Sequence, residues 1–197
     1  MSSLWLIAAI AAWGVVHSLL ASVPVKDVFL RRLGRGPMRL YRLVYNIFAV
    51  VSFLPILWLM LVLPDGHLYA EPPPWSYVML AGQGIAVILL IAGLLQTGPM
   101  SFAGLRQLFG EEPRAGLVTG GLYRFVRHPL YMAGLLFMWL TPTMSANTFI
   151  VFSSLTFYLL AGAWFEERKL LREFGLAYAE YRARTPMLIP GLRLKKT

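Results

Sequence analysis

Three long stretches, residues 4–22, 43–63 and 77–96, contain no Asp, Glu, Lys or Arg and are built mostly from Leu, Ile, Val, Ala, Phe and Trp. A helix of such length rises about 30 Å, the thickness of a bilayer's hydrocarbon core. Hydrocarbon offers the backbone no partners, so a chain that crosses it must pair its own N–H and C=O groups, and a helix does this within each run. Composition agrees. Of the 197 residues, 58% are hydrophobic and 14% charged, against roughly 25% charged in a water-soluble domain.

A further apolar run, 129–140, is shorter, and the turn-like Thr-Pro-Thr-Met-Ser-Ala-Asn at 141–147 separates it from another at 148–165. This predicts a helical hairpin. Its first arm reaches crossing length if 122–128 dips into the interface; otherwise the hairpin is re-entrant from one side. The expected fold is all-α and membrane-integral, with about five transmembrane helices, the last two forming the hairpin, and a cytoplasmic amphipathic C-terminal helix. Met1–Ser3 carries no basic charge, so the first run is expected to be a retained helix rather than a cleaved leader. No repeat, low-complexity tract or linker interrupts the chain. A single membrane domain, 1–197, is expected, with three helices in 1–97 and the polar motifs in 98–197.

The basic residues test sidedness. Lys26, Arg31, Arg32, Arg35, Arg39 and Arg42 follow the first run; Arg106, Arg114, Arg124 and Arg127 follow the third; Arg168, Lys169, Arg172, Arg182, Arg184, Arg193, Lys195 and Lys196 follow the last. The N-terminus, the loop 64–76 with Asp65, His67 and Glu71, and the hairpin tip hold no Lys or Arg. The positive-inside rule then puts the N-terminus outside and the C-terminus in the cytoplasm. The membrane would be the inner or plasma membrane of a bacterium, or the endoplasmic reticulum of a eukaryote. The formal charge of +9 marks a membrane face and does not imply a nucleic-acid partner. The stretch 26–42, with Gly34, Gly36 and Pro37, reads as a loop that holds anionic lipid headgroups. There is no cysteine, so disulfides, thiolate metal sites and cysteine nucleophiles are excluded. His17, His67 and His128 are too dispersed to suggest a metal site.

Chemistry concentrates in two segments. In Gly-Gly-Leu-Tyr-Arg-Phe-Val-Arg-His-Pro-Leu-Tyr (120–131), Pro129 suits the first position of a helix. His128 is then held out of the α region beside unpaired N–H groups, and Arg127 adjoins it. A guanidinium next to a helix start can receive a carboxylate or phosphate; the alternative is that both side chains merely snorkel at the bilayer surface. In 165–182, Leu170, Leu171, Phe174, Tyr178 and Tyr181 form one helical stripe with Glu167 near its centre and Glu166 at its edge. That carboxylate needs a partner, unless the segment is an ordinary surface helix with solvated acids; Gly175 weakens the case for an unbroken helix. Ala-Gly-Gln-Gly-Ile-Ala (81–86) lies inside an apolar run and reads as small residues for helix packing. His17, Asn46 and Gln83 read as interhelical hydrogen-bonding groups.

Gly-Leu-Tyr-Arg-Phe-Val-Arg-His-Pro-Leu-Tyr (121–131), Glu-Glu-Arg-Lys-Leu-Leu-Arg-Glu-Phe-Gly-Leu-Ala-Tyr-Ala-Glu-Tyr-Arg (166–182) and Thr-Pro-Met-Leu-Ile-Pro (185–190), in that order and spacing, resemble the isoprenylcysteine carboxyl methyltransferase superfamily of membrane methyltransferases. The resemblance covers roughly the C-terminal half. Within the superfamily, His-Ser-Leu-Leu-Ala (17–21), Leu-Arg-Gln (105–107), Thr-Pro-Thr-Met (141–144) and Pro-Met-Leu-Ile-Pro-Gly (186–191) look most like the methanethiol S-methyltransferases and NnrU-like membrane proteins. The resemblance implies an S-adenosylmethionine site at the cytoplasmic helix ends, with a small thiol or a hydrophobic, prenylated acceptor entering from the bilayer. It implies catalytic roles for Arg127, His128 and Glu167, and cofactor contacts from Gly121, Tyr123, Arg127, His128, Pro129, Tyr131, Glu166, Glu167, Tyr178 and Tyr181. Arg127 with the helix start at Pro129 would hold the methionyl carboxylate, and Glu167 the ammonium or ribose hydroxyls. The tyrosines would flank adenine or sulfonium, and His128 would bind cofactor or take a proton from a thiol. Which glutamate meets the cofactor stays open. So do two other readings: an NADPH-dependent membrane reductase of the sterol-reductase type, and a non-enzymatic NnrU-like membrane protein.

Overall fold

The computed structural model describes residues 2–106 and 116–192. Met1, Gln107, Arg114, Arg193, Lys195 and Lys196, which entered the reading above, lie outside the described residues. The elements are α1 (Ser2–Ala21), α2 (Val23–Leu33), α3 (Arg35–Val62), β1 (His67–Ala70), α4 (Trp75–Thr97), α5 (Pro99–Ala103), a 3₁₀ turn (Gly121–Arg124), α6 (Pro129–Trp139), β2 (Thr143–Ser145), α7 (Ala146–Phe174) and α8 (Leu176–Arg184). Among the described residues, β1 and β2 make up a two-stranded sheet and the remaining regular structure is helical.

Among the described residues, four helices are long and apolar enough to cross a membrane: Leu4–Ala21, Arg35–Val62, Trp75–Thr97 and Ala146–Phe174. The protein is an integral membrane protein. The first arm of the expected hairpin, α6, has 11 residues, or about 16 Å, half of the hydrocarbon thickness.

Residues group into two compact units. In the first, drawn from 1–68, 98–114 and 144–155, Leu6 and Ile10 of α1 pack with Ile56 of α3 and Val151 of α7, ringed by Trp13, Phe53, Met60 and Leu155. Beside this core the α1–α3 contact is laced with polar bonds. Trp13 Nε1 donates to Ala49 O (3.3 Å) and Ser52 Oγ (3.1 Å), Tyr45 Oη is hydrogen-bonded to His17 Nε2 (2.6 Å), and Tyr41 Oη donates to Leu20 O (2.6 Å). His17 is thus an interhelical bonding group, as its place in an apolar run suggested. Asn147 is buried at the start of α7, and its Nδ2 donates to Leu63 O (3.2 Å) and Met60 O (3.4 Å), satisfying carbonyls that the end of α3 leaves open. Asp65 acts the other way, accepting from the backbone N–H of Asn147 (2.9 Å) and of Gly66 (2.9 Å). Burial pushes its carboxyl up, but hydrogen bonds from the Ser145 side chain and the amides of Asn147, Gly66 and Ala146 outweigh this and hold it below the usual carboxylate range.

The stretch 26–42, expected as a loop, is helical apart from Gly34. Gly34, at φ +79, does end α2. Gly36 and Pro37 fall in the first turn of α3, where a missing N–H costs no hydrogen bond and proline is accepted. The α3 helix therefore begins eight residues before its apolar part, at Arg35 rather than 43.

The second unit is drawn from 69–97, 115–143 and 156–197. Here α4 lies close against α6. A Cβ added to Gly82 would sit 2.6 Å from Leu140 Cδ1, and one added to Gly93 would sit 2.8 Å from Leu130 Cδ2. Small residues let the two backbones approach, which is the packing use read from 81–86. Gln83 Nε2 donates across the same contact to Phe137 O (2.9 Å) and Thr141 Oγ1 (3.0 Å). The polar end of α7 continues past the apolar part to Phe174, and Gly175, at φ +54, terminates it before α8.

Candidate active site

The site begins where α6 begins. Pro129 is the first residue of α6 and His128 precedes it at φ −124, ψ 67, outside the α region that the proline disfavours. Upstream, Gly121 (φ +57) opens the 3₁₀ turn against the side-chain amide of Gln96, whose Oε1 accepts from the Leu122 N–H (3.1 Å). A Cβ there would overlap that amide. The segment after α8 returns to the same place: Arg127 N–H donates to Pro186 O (2.9 Å) and His128 N–H to Met187 O (3.1 Å). These bonds tie the motif at 121–131 to the one at 185–190 through the backbone.

Glu167, on α7 and 5% exposed, is the centre. Its Oε1 accepts from Arg127 Nε (2.5 Å), Tyr178 Oη (3.0 Å) and, at 3.3 Å, His128 Nε2. Its Oε2 accepts from Arg127 Nη2 (3.0 Å) and lies 3.2 Å from Arg182 Nε. Five donors occupy a carboxylate that has about four lone-pair positions. Arg127 is equally committed, because its Nη1 donates to Thr185 O (2.5 Å) and Arg182 O (3.1 Å). The guanidinium expected to receive a cofactor carboxylate is directed instead at Glu167 and at carbonyls. A bidentate guanidinium–carboxylate pair, with both Nη1 hydrogens also given carbonyl acceptors, is the arrangement that lets charges be buried.

Gly175 makes this geometry possible. In an unbroken helix Glu167 and Tyr178 would be about 16 Å apart along the axis, and the hydroxyl could not reach the carboxylate. The positive φ at Gly175 redirects the chain, so α8 lies back along the end of α7 and presents Tyr178 and Tyr181 to the node. Tyr178 is almost wholly buried, and burial together with the Glu167 charge raises its hydroxyl far above the ordinary value. Tyr181 donates to Tyr123 O (2.5 Å) and is pushed up to about 12 by burial, with Tyr123 and Glu167 adding to this against Arg127. Burial and the Glu166 charge raise Tyr123 as well. All three hydroxyls remain protonated donors at neutral pH.

Glu166 differs from its neighbour. Its side chain is 45% exposed; Oε2 accepts from Tyr131 Oη (3.0 Å) and lies 3.6 Å from His128 Nδ1. The rings of His128 and Tyr131 stack 5.3 Å apart and nearly parallel, at 8°. The structure therefore gathers Arg127, His128, Tyr131, Glu166, Glu167 and Tyr178 directly, with Pro129 buried beneath them. Tyr181 and Tyr123 join each other at one side. Gly121 does not join the cluster and is accounted for by its fit to Gln96. Arg182, the Thr185, Pro186 and Met187 carbonyls, and Gln96 were missed. Backbone acceptors leave no signature in a sequence. Arg182 had one in retrospect, because it lies four residues after Tyr178 and so on the same helical stripe.

Residues 5–192 match the family described as NnrU protein. The chain belongs to the NnrU protein family. Among relatives, the chain is similar to methanethiol S-methyltransferase 2 of Bradyrhizobium diazoefficiens, 29% identical over 191 residues that make up 91% of this chain and 70% of that one. It is 30% identical to methanethiol S-methyltransferase 1 of the same organism over 93% of this chain and 65% of that one. The methanethiol S-methyltransferase of Crocosphaera subtropica is 30% identical over 91% of this chain and 71% of its own. The chain thus spans about two thirds of the length of these relatives. No solved structure matches it. Family and relatives fit the isoprenylcysteine carboxyl methyltransferase-like membrane methyltransferases, the resemblance carried by the motifs at 121–131 and 166–190.

Proposed function

We propose that this protein is an S-adenosylmethionine-dependent membrane methyltransferase whose acceptor is a small thiol. The observation that carries the reading is the convergence of the Arg-His-Pro, Glu-Glu and Thr-Pro-Met motifs on one buried, charge-balanced node with an open carboxylate, Glu166, at its edge. The similarity to methanethiol S-methyltransferases supports the chemistry and the thiol.

The residues suit such a cofactor. An exposed carboxylate backed by the stacked His128 and Tyr131 rings favours a sulfonium or ammonium cation. Glu167 has its acceptor positions filled, so Glu166 is the glutamate that meets the cofactor. Arg127, buried and committed, holds the site together. Arg182, whose side chain is 32% exposed, takes the part of carboxylate receptor with its terminal nitrogens. S-adenosylmethionine, when bound, supplies an electrophilic methyl group on a sulfonium. The protein has mainly to align the acceptor sulfur in line with that methyl and keep water away. Ionised Glu167 can only accept, so a His128 ring that is to take a proton carries its hydrogen on Nε2 and offers its lone pair at Nδ1. The thiol proton passes to Nδ1, and the imidazolium is then stabilised by Glu166 and Glu167 on its two sides. The positive-inside distribution directs this end of the molecule to the cytoplasm, and the acceptor arrives from the bilayer.

The test uses purified protein in detergent. S-adenosylmethionine should bind, and transfer of a labelled methyl group should occur to methanethiol in preference to a prenylcysteine or phosphatidylethanolamine. Binding of NADPH in place of S-adenosylmethionine would turn the reading to a reductase. Binding of neither would turn it to a non-enzymatic family member.

A further inference from the structure

Helix α2 belongs neither to a membrane crossing nor to the Glu167 node. It joins the end of α1 at Ala21 to the start of α3 at Arg35 through single residues, Ser22 and Gly34. Both α1 and α3 cross the bilayer, so the end of one and the start of the other emerge at the same membrane surface. The 11-residue helix between them therefore lies on that side of the membrane, with the Phe29 ring edge-on to Tyr41 of α3 at 5.4 Å.

None of its residues is buried in protein. Val23, Val28, Phe29, Leu30 and Leu33 are all exposed. At about 100° per residue, Val23, Val25, Phe29, Leu30 and Leu33 share one arc with Lys26 among them, a side chain long enough to carry its charge out to the headgroups, while Asp27, Val28, Arg31 and Arg32 lie on the other. Arg35 and Arg39, also exposed, continue the cationic side on the first turns of α3. Asp27 is the only acid between Val23 and Arg42, so the surface carries a strong local excess of positive charge. Such an apolar arc has no stable place in water, and four arginines beside it have no stable place in hydrocarbon. The headgroup boundary accommodates both.

We infer that α2 is an interfacial helix: its apolar arc is seated among acyl chains, and Arg31, Arg32, Arg35 and Arg39 gather the phosphates of anionic lipids. Guanidinium forks match phosphate oxygens, and the nearness of the apolar arc fits an amphiphile rather than a free anion. The inference rests on the membrane crossings and is independent of the methyltransferase reading.

Two measurements test it. The chain has no cysteine, so Leu33→Cys and Asp27→Cys each accept a single environment-sensitive label in the full-length protein. In phosphatidylcholine vesicles containing phosphatidylglycerol, a lipid-borne quencher should reach the label at 33 and spare that at 27; equal quenching, or quenching of 33 by aqueous iodide alone, overturns the inference. In detergent, phosphatidylglycerol should raise the unfolding midpoint by about 2–4 °C above the same amount of phosphatidylcholine. The quadruple variant R31Q/R32Q/R35Q/R39Q should lose that difference, and the corresponding lysine variant should keep most of it. An equal rise with phosphatidylcholine, an equal rise with inorganic phosphate, or an unchanged response in the glutamine variant each rejects anionic lipid as the partner.

Discussion

Two contacts in this molecule tie helices together with polar side chains, and they do so on different principles. Between α1 and α3, Trp13, His17, Tyr41 and Tyr45 each add a hydrogen bond or two to a contact that already packs through Leu6, Ile10 and Ile56. Each of those bonds is replaceable, because the unpaired helices would find other partners within the membrane. Around Glu167, two guanidiniums, a histidine and a tyrosine converge on one carboxylate, and the backbone of 182–187 completes the shell. Removing Glu167 or Arg127 strands the other's charge, and removing a neutral member leaves a buried polar group short of a partner. The first contact therefore tolerates change residue by residue, and the second behaves as a unit.

The contrast can be broken most directly at its charged end. Glu167→Ala should destabilise the protein by about 3–5 kcal/mol, because Arg127 is left buried without its counter-ion, and thermal unfolding in detergent should show it as a fall of roughly 10 °C. A fall no larger than that of a surface variant would mean that the node is not a unit. Gly175→Val should cost about 1–3 kcal/mol, since a β-branched residue is strained at φ +54; the accompanying sign is a loss of Tyr178 protection in hydrogen exchange or chemical labelling. Glu166→Gln sharpens the boundary between structure and chemistry. With its side chain 45% exposed, it should leave the unfolding midpoint within about 2 °C while weakening S-adenosylmethionine binding roughly 10–100-fold, the worth of one charge-assisted hydrogen bond. A large stability loss without a binding loss would assign Glu166 to the node instead. The smallest effect belongs to the α1–α3 contact: Tyr45→Phe removes the 2.6 Å bond to His17 and should cost about 0.6 kcal/mol, little more than the error of a thermal melt.

The apolar runs made most of the fold legible. Residues 4–22 and 77–96 anticipate α1 and α4 to within two residues at each end, because lipid leaves a continuous record in composition. The start of α3 was hidden because Arg35, Arg39 and Arg42 interrupt the apolar record while the helix runs on. Gly36 and Pro37 read as breakers only if their position in the first turn is unknown. At the node, Arg127, His128 and the two glutamates stood out by residue type. The pairing of Arg127 with Glu167 did not, since an ion pair spanning 40 residues depends on where α6 and α7 end. Which of the two glutamates faces inward was legible, because the stripe 170–181 put Glu167 near its centre and Glu166 at its edge, as their burial bears out. What stayed hidden was the return of α8 at Gly175, which brings the Tyr178 hydroxyl back to Glu167.

The Arg127 side chain also imposes an order on biosynthesis. Its two carbonyl acceptors, Arg182 O and Thr185 O, lie 55 and 58 residues further along the chain. At translation rates of about 5–20 residues per second, they follow it from the ribosome by roughly 3–12 s. During that interval α4 and α6 can already pair through Gly82 and Gly93, but the guanidinium beside them has no counter-ion until Glu167 follows, 40 residues on, and no carbonyl acceptors until 182 and 185. Helix insertion and helix pairing precede the assembly of the charged centre, so a nascent chain stalled before residue 182 would be membrane-embedded and apolar-packed yet electrostatically unfinished, with its most costly side chain open to quality control.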